Sequence, residues 1–117
     1  GTGTQRRTFV YIDDVIDGIV LSATLDSAIG HVINLGNTVE NTMSEVVHSV
    51  LKAAKSELKI YHIETKDRYG KVYEDIPRRV PQTNKALNLL NWKAVTSMQD
   101  GIQKTVNWAK ENKWYLT

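Results

Sequence analysis

The chain has 117 residues, 41% of them apolar, and its 15 basic and 13 acidic residues give a formal net charge of +2. This length and composition suit one compact domain over residues 1–117, while the scattered and nearly balanced charges argue against duplex nucleic acid or an anionic membrane surface as partners. The absence of cysteine excludes disulfides, thiolate metal ligands and a cysteine nucleophile, and without a membrane-length apolar run or a leader-like start we expect a cytoplasmic protein.

The first third of the chain shows alternating strand and helix patterns. The β-rich run from Thr8 to Ile12 predicts a first strand. Apolar residues then recur at intervals of three and four positions, which predicts a helix that ends near Ser27. Asp13 or Asp14 is expected to accept the free amides at its start. The run HVINLG, which ends at Gly36, is typical of a buried second strand.

The rest of the chain is richer in helix patterns. Thr42 and Glu45 have the spacing of a capping box, which predicts the start of a second helix with Met43, Val46, Val47, Val50, Leu51 and Ala54 on one buried face. The run LKIYHIET predicts a third strand. Two helices follow, a short one from about Ala86 to Leu90 and a longer one opened by Ser97 and Asp100. These elements predict a mixed α/β fold in which a small sheet of about three strands packs with four helices.

No motif of a self-sufficient catalytic centre is present. The sequence lacks a G-x-G-x-x-G turn, a phosphate-binding G-x-x-x-x-G-K loop, an H-E-x-x-H metal motif, a G-x-S-x-G elbow and any tyrosine with a lysine four residues later. The three histidines, His31, His48 and His62, lie far apart in predicted strands or helices, where packed and hydrogen-bonded rings are the usual case. We therefore predict no metal site, and these motifs assign no catalytic residue.

The loop YGKVYEDIPRRVP contains the first of two arginine-centred elements. Arg79 lies between Pro77 and Pro81, and the proline rings restrict their own backbone and that of the preceding residues. A stiff loop loses less entropy when it binds, and a guanidinium group can bind an anion through two parallel hydrogen bonds. Tyr69 and Tyr73 add flat faces that can pack on a ring or a sugar.

The second element is Arg7 at the start of the predicted first strand. Alternation places Gln5, Arg7, Phe9 and Tyr11 on one face and Arg6 on the other. The two elements together predict a small anionic ligand, bound where folding brings Arg7 and Arg79 to one concave site. The alternative, that both arginines are ordinary solvated residues, stays open at this point.

Four motifs in order carry a resemblance to a known family: GTQRRTFVYIDD from Gly3, VINLGN ending at Asn37, the YGKVYEDIPRRVP loop, and KALNLLNW ending at Trp92. Together they resemble the carboxy-terminal, substrate-binding half of the extended short-chain dehydrogenase/reductase family, the NAD-dependent sugar-nucleotide epimerases, dehydratases and decarboxylases. The loop is most similar to that of the bacterial UDP-glucuronate decarboxylases.

The resemblance implies a role for each candidate residue. Arg7 would hold the diphosphate of a UDP-sugar, Arg79 would reach a phosphate or the substrate carboxylate and is the one possible catalytic residue, and Tyr73 would close over the bound nucleotide sugar. Gln5 and Tyr69 complete the expected substrate-binding set. NAD is the cofactor of the family, but none is expected to bind this chain alone.

The chain departs from the family pattern at helix ends. Gln82 replaces the usual aspartate after the proline, and Thr83 is then expected to cap the short helix. Asn91 replaces a glycine and still tolerates a left-handed helix end. Ala94 replaces a proline. These changes leave the proposed ligand contacts untouched.

The family's amino-terminal half, with its Rossmann cofactor domain and Tyr-x-x-x-Lys pair, has no counterpart in the sequence. We expect the chain alone to bind no NAD and to turn over no sugar nucleotide. We also expect an exposed apolar face that binds a homodimer partner or a missing Rossmann-domain partner. Trp108, Trp114 and Tyr115 are candidates for that face, with ordinary packing of the last helix as the alternative. A rival function is a structural or protein-interaction module that retains the fold.

Overall fold

The computed structural model describes residues 1–63, 67, 70 and 76–116. In this part of the chain four α-helices accompany one two-stranded sheet: β1 Arg6–Thr8, α1 Ile12–Thr24, β2 Glu40–Thr42, α2 Met43–Ala54, α3 Asn84–Leu90 and α4 Met98–Glu111. Two short 3₁₀ turns occupy Asp26–Ala28 and Lys113–Leu116. The mixed α/β class with four helices is therefore observed. None of the described helices has the length and apolar character needed to cross a membrane.

The Cα positions group the chain into two compact units. The first unit comprises Gly1–Arg7, Asn41–Arg79 and Ile102–Thr117, and the second comprises Thr8–Glu40 and Val80–Gly101. Each unit is therefore assembled from segments that are distant in the sequence. The expectation of a single domain over residues 1–117 stays a prediction.

The first strand lies earlier than the sequence pattern predicts. β1 ends at Thr8, and Ile12, which the prediction placed in the strand, begins α1. The pairing is short because the partner strand β2 has three residues, after which the chain enters α2. Tyr11 keeps extended backbone angles, φ −74° and ψ 147°, without belonging to a strand.

The other two predicted strands are wrong for the residues that the structure describes. Residues 31–36 and 58–63 have no strand assignment, so the sheet has two strands and not three. Side chains bind backbone carbonyls around the first of these segments: Lys85 Nζ donates to the Val32 carbonyl at 3.3 Å, and Asn34 Nδ2 donates to the Gln82 carbonyl at 3.1 Å. The end of the third predicted strand, residues 64–65, lies outside the described residues.

The predicted capping box of α2 is confirmed. The Glu45 amide donates to Thr42 Oγ1 at 3.2 Å, and the Thr42 amide donates to Glu45 Oε2 at 2.7 Å. The helix ends at Lys55, whose φ of 55° is left-handed. The predicted buried face is only partly buried, and Val50 is 40% exposed.

The short helix α3 and the long helix α4 start as local sequence signals predict, with one change. Thr83 occupies the N-cap of α3 but makes no capping bond, and Gln82 Oε1 instead accepts a bond from the Asn84 amide at 3.2 Å. Asn91 ends α3 with a φ of 51°, as expected for the residue that replaces glycine. Ser97 Oγ accepts a bond from the Asp100 amide at 3.1 Å at the start of α4.

The core of the second unit is small. Its buried members are Ala28, Ala86, Leu90 and Trp92. Gly18 of α1 permits the close approach of two other side chains, because a Cβ atom added there would lie 2.9 Å from Leu35 Cδ2 and 3.0 Å from Trp92 Cε2. This approach brings α1 against the segment that follows α3.

Candidate functional site

A β-bridge joins the described parts of the two arginine-centred segments in the first unit. Arg6 pairs with Arg78 in a parallel bridge. The Arg6 amide donates to the Pro77 carbonyl at 2.8 Å, and the Arg79 amide donates to the Arg6 carbonyl at 3.3 Å. Proline has no backbone N–H to donate, and this pairing needs none from Pro77, because only its carbonyl forms a hydrogen bond. The start of β1 and residues 77–79 are thus neighbours in space.

The register of this bridge determines which arginines share a side. Successive side chains of extended backbone point in opposite directions, and bridged residues point in the same direction. Arg7 and Arg79 each follow a bridged residue, so alternation predicts that both project to one side of the paired segments. It predicts the other side for Arg6 and Arg78. Alternation thus predicts two pairs among these four arginines, and the placement of Arg7 and Arg79 on a common side stays a prediction.

The Arg7 guanidinium lies next to the loop that carries Arg79. Arg7 Nη1 donates to the Arg6 carbonyl at 2.8 Å, and the same oxygen accepts the Arg79 amide. Arg7 is partly buried, whereas Arg79 is exposed. Arg7 is thus held by a backbone carbonyl, while Arg79 lies at the surface.

Arg6 contributes to the electrostatics of the Glu45 carboxyl. Hydrogen bonds from the Thr42 amide and hydroxyl, with a smaller contribution from the Arg6 charge, lower the pKa of the exposed Glu45 carboxyl. Glu45 is thus ionised over a wider pH range than an ordinary glutamate. Arg6 is thus close enough to Glu45 to contribute to this shift.

Of the other residues in the predicted site, the structure describes Gln5 but not the two tyrosines. Gln5 is partly buried, and its carbonyl accepts the Met43 amide at 3.1 Å, so it fixes the start of β1 against the start of α2. Tyr69 and Tyr73 lie outside the described residues. Their predicted roles, and those of the arginines and of Gln5, stay predictions.

Asp14 is a buried carboxylate whose role the sequence did not reveal. The prediction that it caps α1 is wrong, because Tyr11 occupies the N-cap and no side chain bonds there. Asp14 Oδ2 instead accepts the Val95 and Thr96 amides at 2.9 and 2.8 Å, and Oδ1 accepts the Thr96 hydroxyl at 2.9 Å. Trp92 Nε1 donates to the Asp14 carbonyl at 2.8 Å. Asp14 therefore fixes the segment after α3 to α1 within the second unit.

The three histidines are exposed, which corrects the expectation of packed rings. His48 Nδ1 bonds to the Ser44 carbonyl at 2.7 Å, and His62 Nδ1 bonds to the Gly1 carbonyl at 3.2 Å. No group of three or more histidine, aspartate or glutamate side chains able to hold a metal ion occurs among the described residues.

Comparison with known proteins gives one family. The sequence pattern of GDP-mannose 4,6 dehydratase matches residues 1–105. A UDP-N-acetyl-alpha-D-glucosaminuronate decarboxylase of Bacillus cytotoxicus is 29% identical over 95% of the chain, and a UDP-glucuronate 4-epimerase of Thermodesulfobacterium geofontis is 37% identical over 96%. The chain spans 34% and 32% of the lengths of these two relatives.

Solved structures agree with this result. An epimerase from the methanogen Methanothermobacter thermautotrophicus aligns with a TM-score of 0.85 and 25% identity over 99% of this chain and 33% of its own length. A UDP-glucuronic acid 4-epimerase from Bacillus cereus, solved with UDP-glucuronic acid and NAD, aligns with a TM-score of 0.80 and 26% identity. That alignment covers 96% of this chain and 34% of the epimerase.

Proposed function

The chain belongs to the GDP-mannose 4,6 dehydratase family, within the extended short-chain dehydrogenases/reductases, and from this premise we propose that it binds the diphosphate of a UDP-sugar. In this proposal it is the substrate-binding portion of an NAD-dependent epimerase, dehydratase or decarboxylase and is catalytically incomplete alone. Its relatives act on sugar nucleotides by their names, and the chain spans about a third of their length.

The observation that carries the proposal is the bridge between Arg6 and Arg78. It supports a joint role for Arg7 and Arg79, since each follows a bridged residue and the Arg6 carbonyl accepts bonds from both the Arg7 guanidinium and the Arg79 amide. A diphosphate has several anionic oxygens, and two guanidinium groups can neutralise them through charge-assisted hydrogen bonds. The partly buried Arg7 would position the diphosphate, and the exposed Arg79 would bind a phosphate or the carboxylate of a uronic acid sugar.

The residues of this chain do not fit NAD. A dinucleotide site of this class needs a glycine-rich turn between a strand and a helix, and the 117 residues contain no G-x-G-x-x-G sequence. The described sheet has two strands, and no helix follows either strand through such a turn. We therefore assign no hydride transfer step to this chain.

A titration followed by amide chemical shifts tests the proposal. UDP and UDP-glucuronate should both shift the amides of Arg7 and Arg79, whereas uridine, which has no phosphate, should shift them far less. Shifts with uridine equal to those with UDP would show that the diphosphate is not what the two arginines bind. No response to any of the three ligands at millimolar concentration would overturn the binding proposal itself.

A second candidate function is protein interaction, and the apolar surface of α1 favours it. Four branched aliphatic side chains of this helix are about half exposed: Ile12 at 58%, Ile16 at 49%, Ile19 at 54% and Val20 at 53%. Contiguous exposed apolar surface of this kind is typical of a surface that binds another protein. A homodimer or a separate cofactor-binding chain would cover it.

The described aromatic cluster at the end of the chain adds to this candidate. Trp108, Trp114 and Tyr115 contact one another edge to face, with ring centroids 5.2 to 6.1 Å apart. Trp114 is 70% exposed and Tyr115 is 64% exposed. Light scattering across a concentration series should reveal association of the purified chain. A concentration-independent monomer would count against the homodimer.

A further inference from the structure

The first unit contains a cavity of about 190 Å³ that has no part in the proposed diphosphate site. Two histidines, His48 of α2 and His62, line it together with Gly3, Ser44, Val47 and Tyr61. Both histidine side chains are exposed, so solutes reach them from solvent. The sequence suggested no link between these residues, which lie in different segments.

The hydrogen bonds of the two rings define their tautomers. His48 Nδ1 lies 2.7 Å from the Ser44 carbonyl, and His62 Nδ1 lies 3.2 Å from the Gly1 carbonyl. A carbonyl oxygen only accepts hydrogen bonds, so each Nδ1 carries a proton and donates it. In each neutral ring the electron pair is therefore on Nε2.

This arrangement is typical of histidines that bind metals. A ligating imidazole usually donates its second ring N–H to a backbone carbonyl or a carboxylate, which fixes the tautomer and the ring orientation. Both rings have this support before any ion binds. The order of the two rings reduces the entropy that binding costs.

We propose that the cavity binds one borderline divalent transition ion, of the Cu²⁺, Ni²⁺ and Zn²⁺ class, through Nε2 of His48 and Nε2 of His62. Metal–nitrogen bonds of about 2.0–2.1 Å suit imidazole ligands of these ions. Water completes the coordination, since the described residues offer no cluster of three histidine or acidic ligands. Two neutral nitrogen ligands select against Mg²⁺ and Ca²⁺, which prefer oxygen.

Competition with a chromophoric chelator tests the proposal on the whole chain with Cu²⁺, Ni²⁺, Zn²⁺ and Mg²⁺ as probes. We expect one ion per chain, affinity that decreases from Cu²⁺ to Ni²⁺, and no binding of Mg²⁺. His48→Ala and His62→Ala should each weaken Cu²⁺ binding by more than about tenfold. His31→Ala is the matched control, because His31 is also exposed but belongs to the second unit.

Two further measurements distinguish this site from the amino terminus and from a lone exposed histidine. A free amino terminus also binds copper, so the titration is repeated on amino-terminally acetylated chain, and the affinity should persist. In the unmodified protein, substoichiometric Cu²⁺ should broaden the ring signals of His48 and His62 together and leave His31 sharp. Broadening of only one of the two rings, equal broadening of His31, or unchanged affinity in either alanine variant would overturn the site.

Discussion

Arg7 and Arg79 are neighbours through backbone pairing, and the proposed diphosphate site depends on this pairing. The bridge pairs Arg6 with Arg78, and alternation from this register predicts one arginine of each segment on each side. A sequence pattern could indicate the stiff loop around Arg79, because prolines restrict their neighbours locally. It could not predict the register, which depends on contacts between distant segments.

Arg79→Lys should weaken UDP binding by about tenfold, because an ammonium group cannot reproduce two parallel hydrogen bonds to one phosphate. Arg78→Lys is the matched control, since Arg78 is the adjacent arginine in the loop and projects to the opposite side. Isothermal titration with UDP measures both variants. Equal affinity of the Arg79→Lys variant and the unmodified chain would contradict two-point binding by Arg79.

Asp14→Ala should lower the free energy of unfolding by about 2 kcal/mol, because the part-buried amides of Val95 and Thr96 would lose their carboxylate acceptor. The exposed neighbour Asp13 is the control, and Asp13→Ala should change stability by less than about 0.5 kcal/mol. Urea unfolding measures both changes. Equal effects of the two substitutions would show that the carboxylate does not stabilise the segment after α3.

Helices and strands differ in how far the sequence predicts them. The capping residues of α2 and α4 lie three positions apart, so the signal and its partner are visible together. A strand needs a partner elsewhere in the chain, and the apolar runs at residues 31–36 and 58–63 have no strand partner in the described part. No local sequence pattern predicts the Asp14 contacts either, because its hydrogen-bond partners lie 81 and 82 positions away.

The capping box of α2 predicts a pH dependence of stability. The Thr42 hydrogen bonds, and then the Arg6 charge, hold the pKa of Glu45 below its ordinary value. The ionised carboxylate therefore stabilises the fold fully above the pKa of the unfolded chain, about 4.3 for glutamate. This contribution is lost as pH falls through the lower pKa of the folded state.

Thermal unfolding at several pH values compares Glu45→Gln with the unmodified chain. The melting temperature of the unmodified chain should exceed that of the variant near neutral pH, and the difference should shrink below the glutamate pKa. Thr42→Ala should lower the free energy of unfolding by about 1 kcal/mol, because α2 would lose its N-cap side chain. A difference in melting temperature that stays constant across the pH range would mean that the Glu45 charge does not contribute to stability.

Two helical glycines give opposite predictions. Gly18→Ala should destabilise the fold by about 1–3 kcal/mol, because its Cβ would lie 2.9 Å from Leu35 Cδ2. Gly101→Ala in α4 should stabilise it by up to about 1 kcal/mol, because its Cβ would contact Tyr11 at an ordinary 3.4 Å and alanine favours helix. Chemical denaturation of both variants checks the sign, and stabilisation by Gly18→Ala would contradict the close approach at α1.

At the scale of the whole molecule, α1 exposes an apolar surface. Such exposure in the isolated chain is what the proposal of a covering domain or partner chain predicts. The chain spans about a third of each relative, and the described core of the second unit has four buried members. The family and the helical framework were predicted from local motifs. The sheet was not, because strand pairing is a property of the assembled fold.

Joint binding of one diphosphate by Arg7 and Arg79 is tested most directly through the guanidinium Nε signals of all the arginines during titration with UDP. The Arg7 and Arg79 signals should shift along one binding curve with a common dissociation constant, while those of Arg6 and Arg78 stay in place. Separate curves for Arg7 and Arg79, or a response from only one of them, would contradict joint binding.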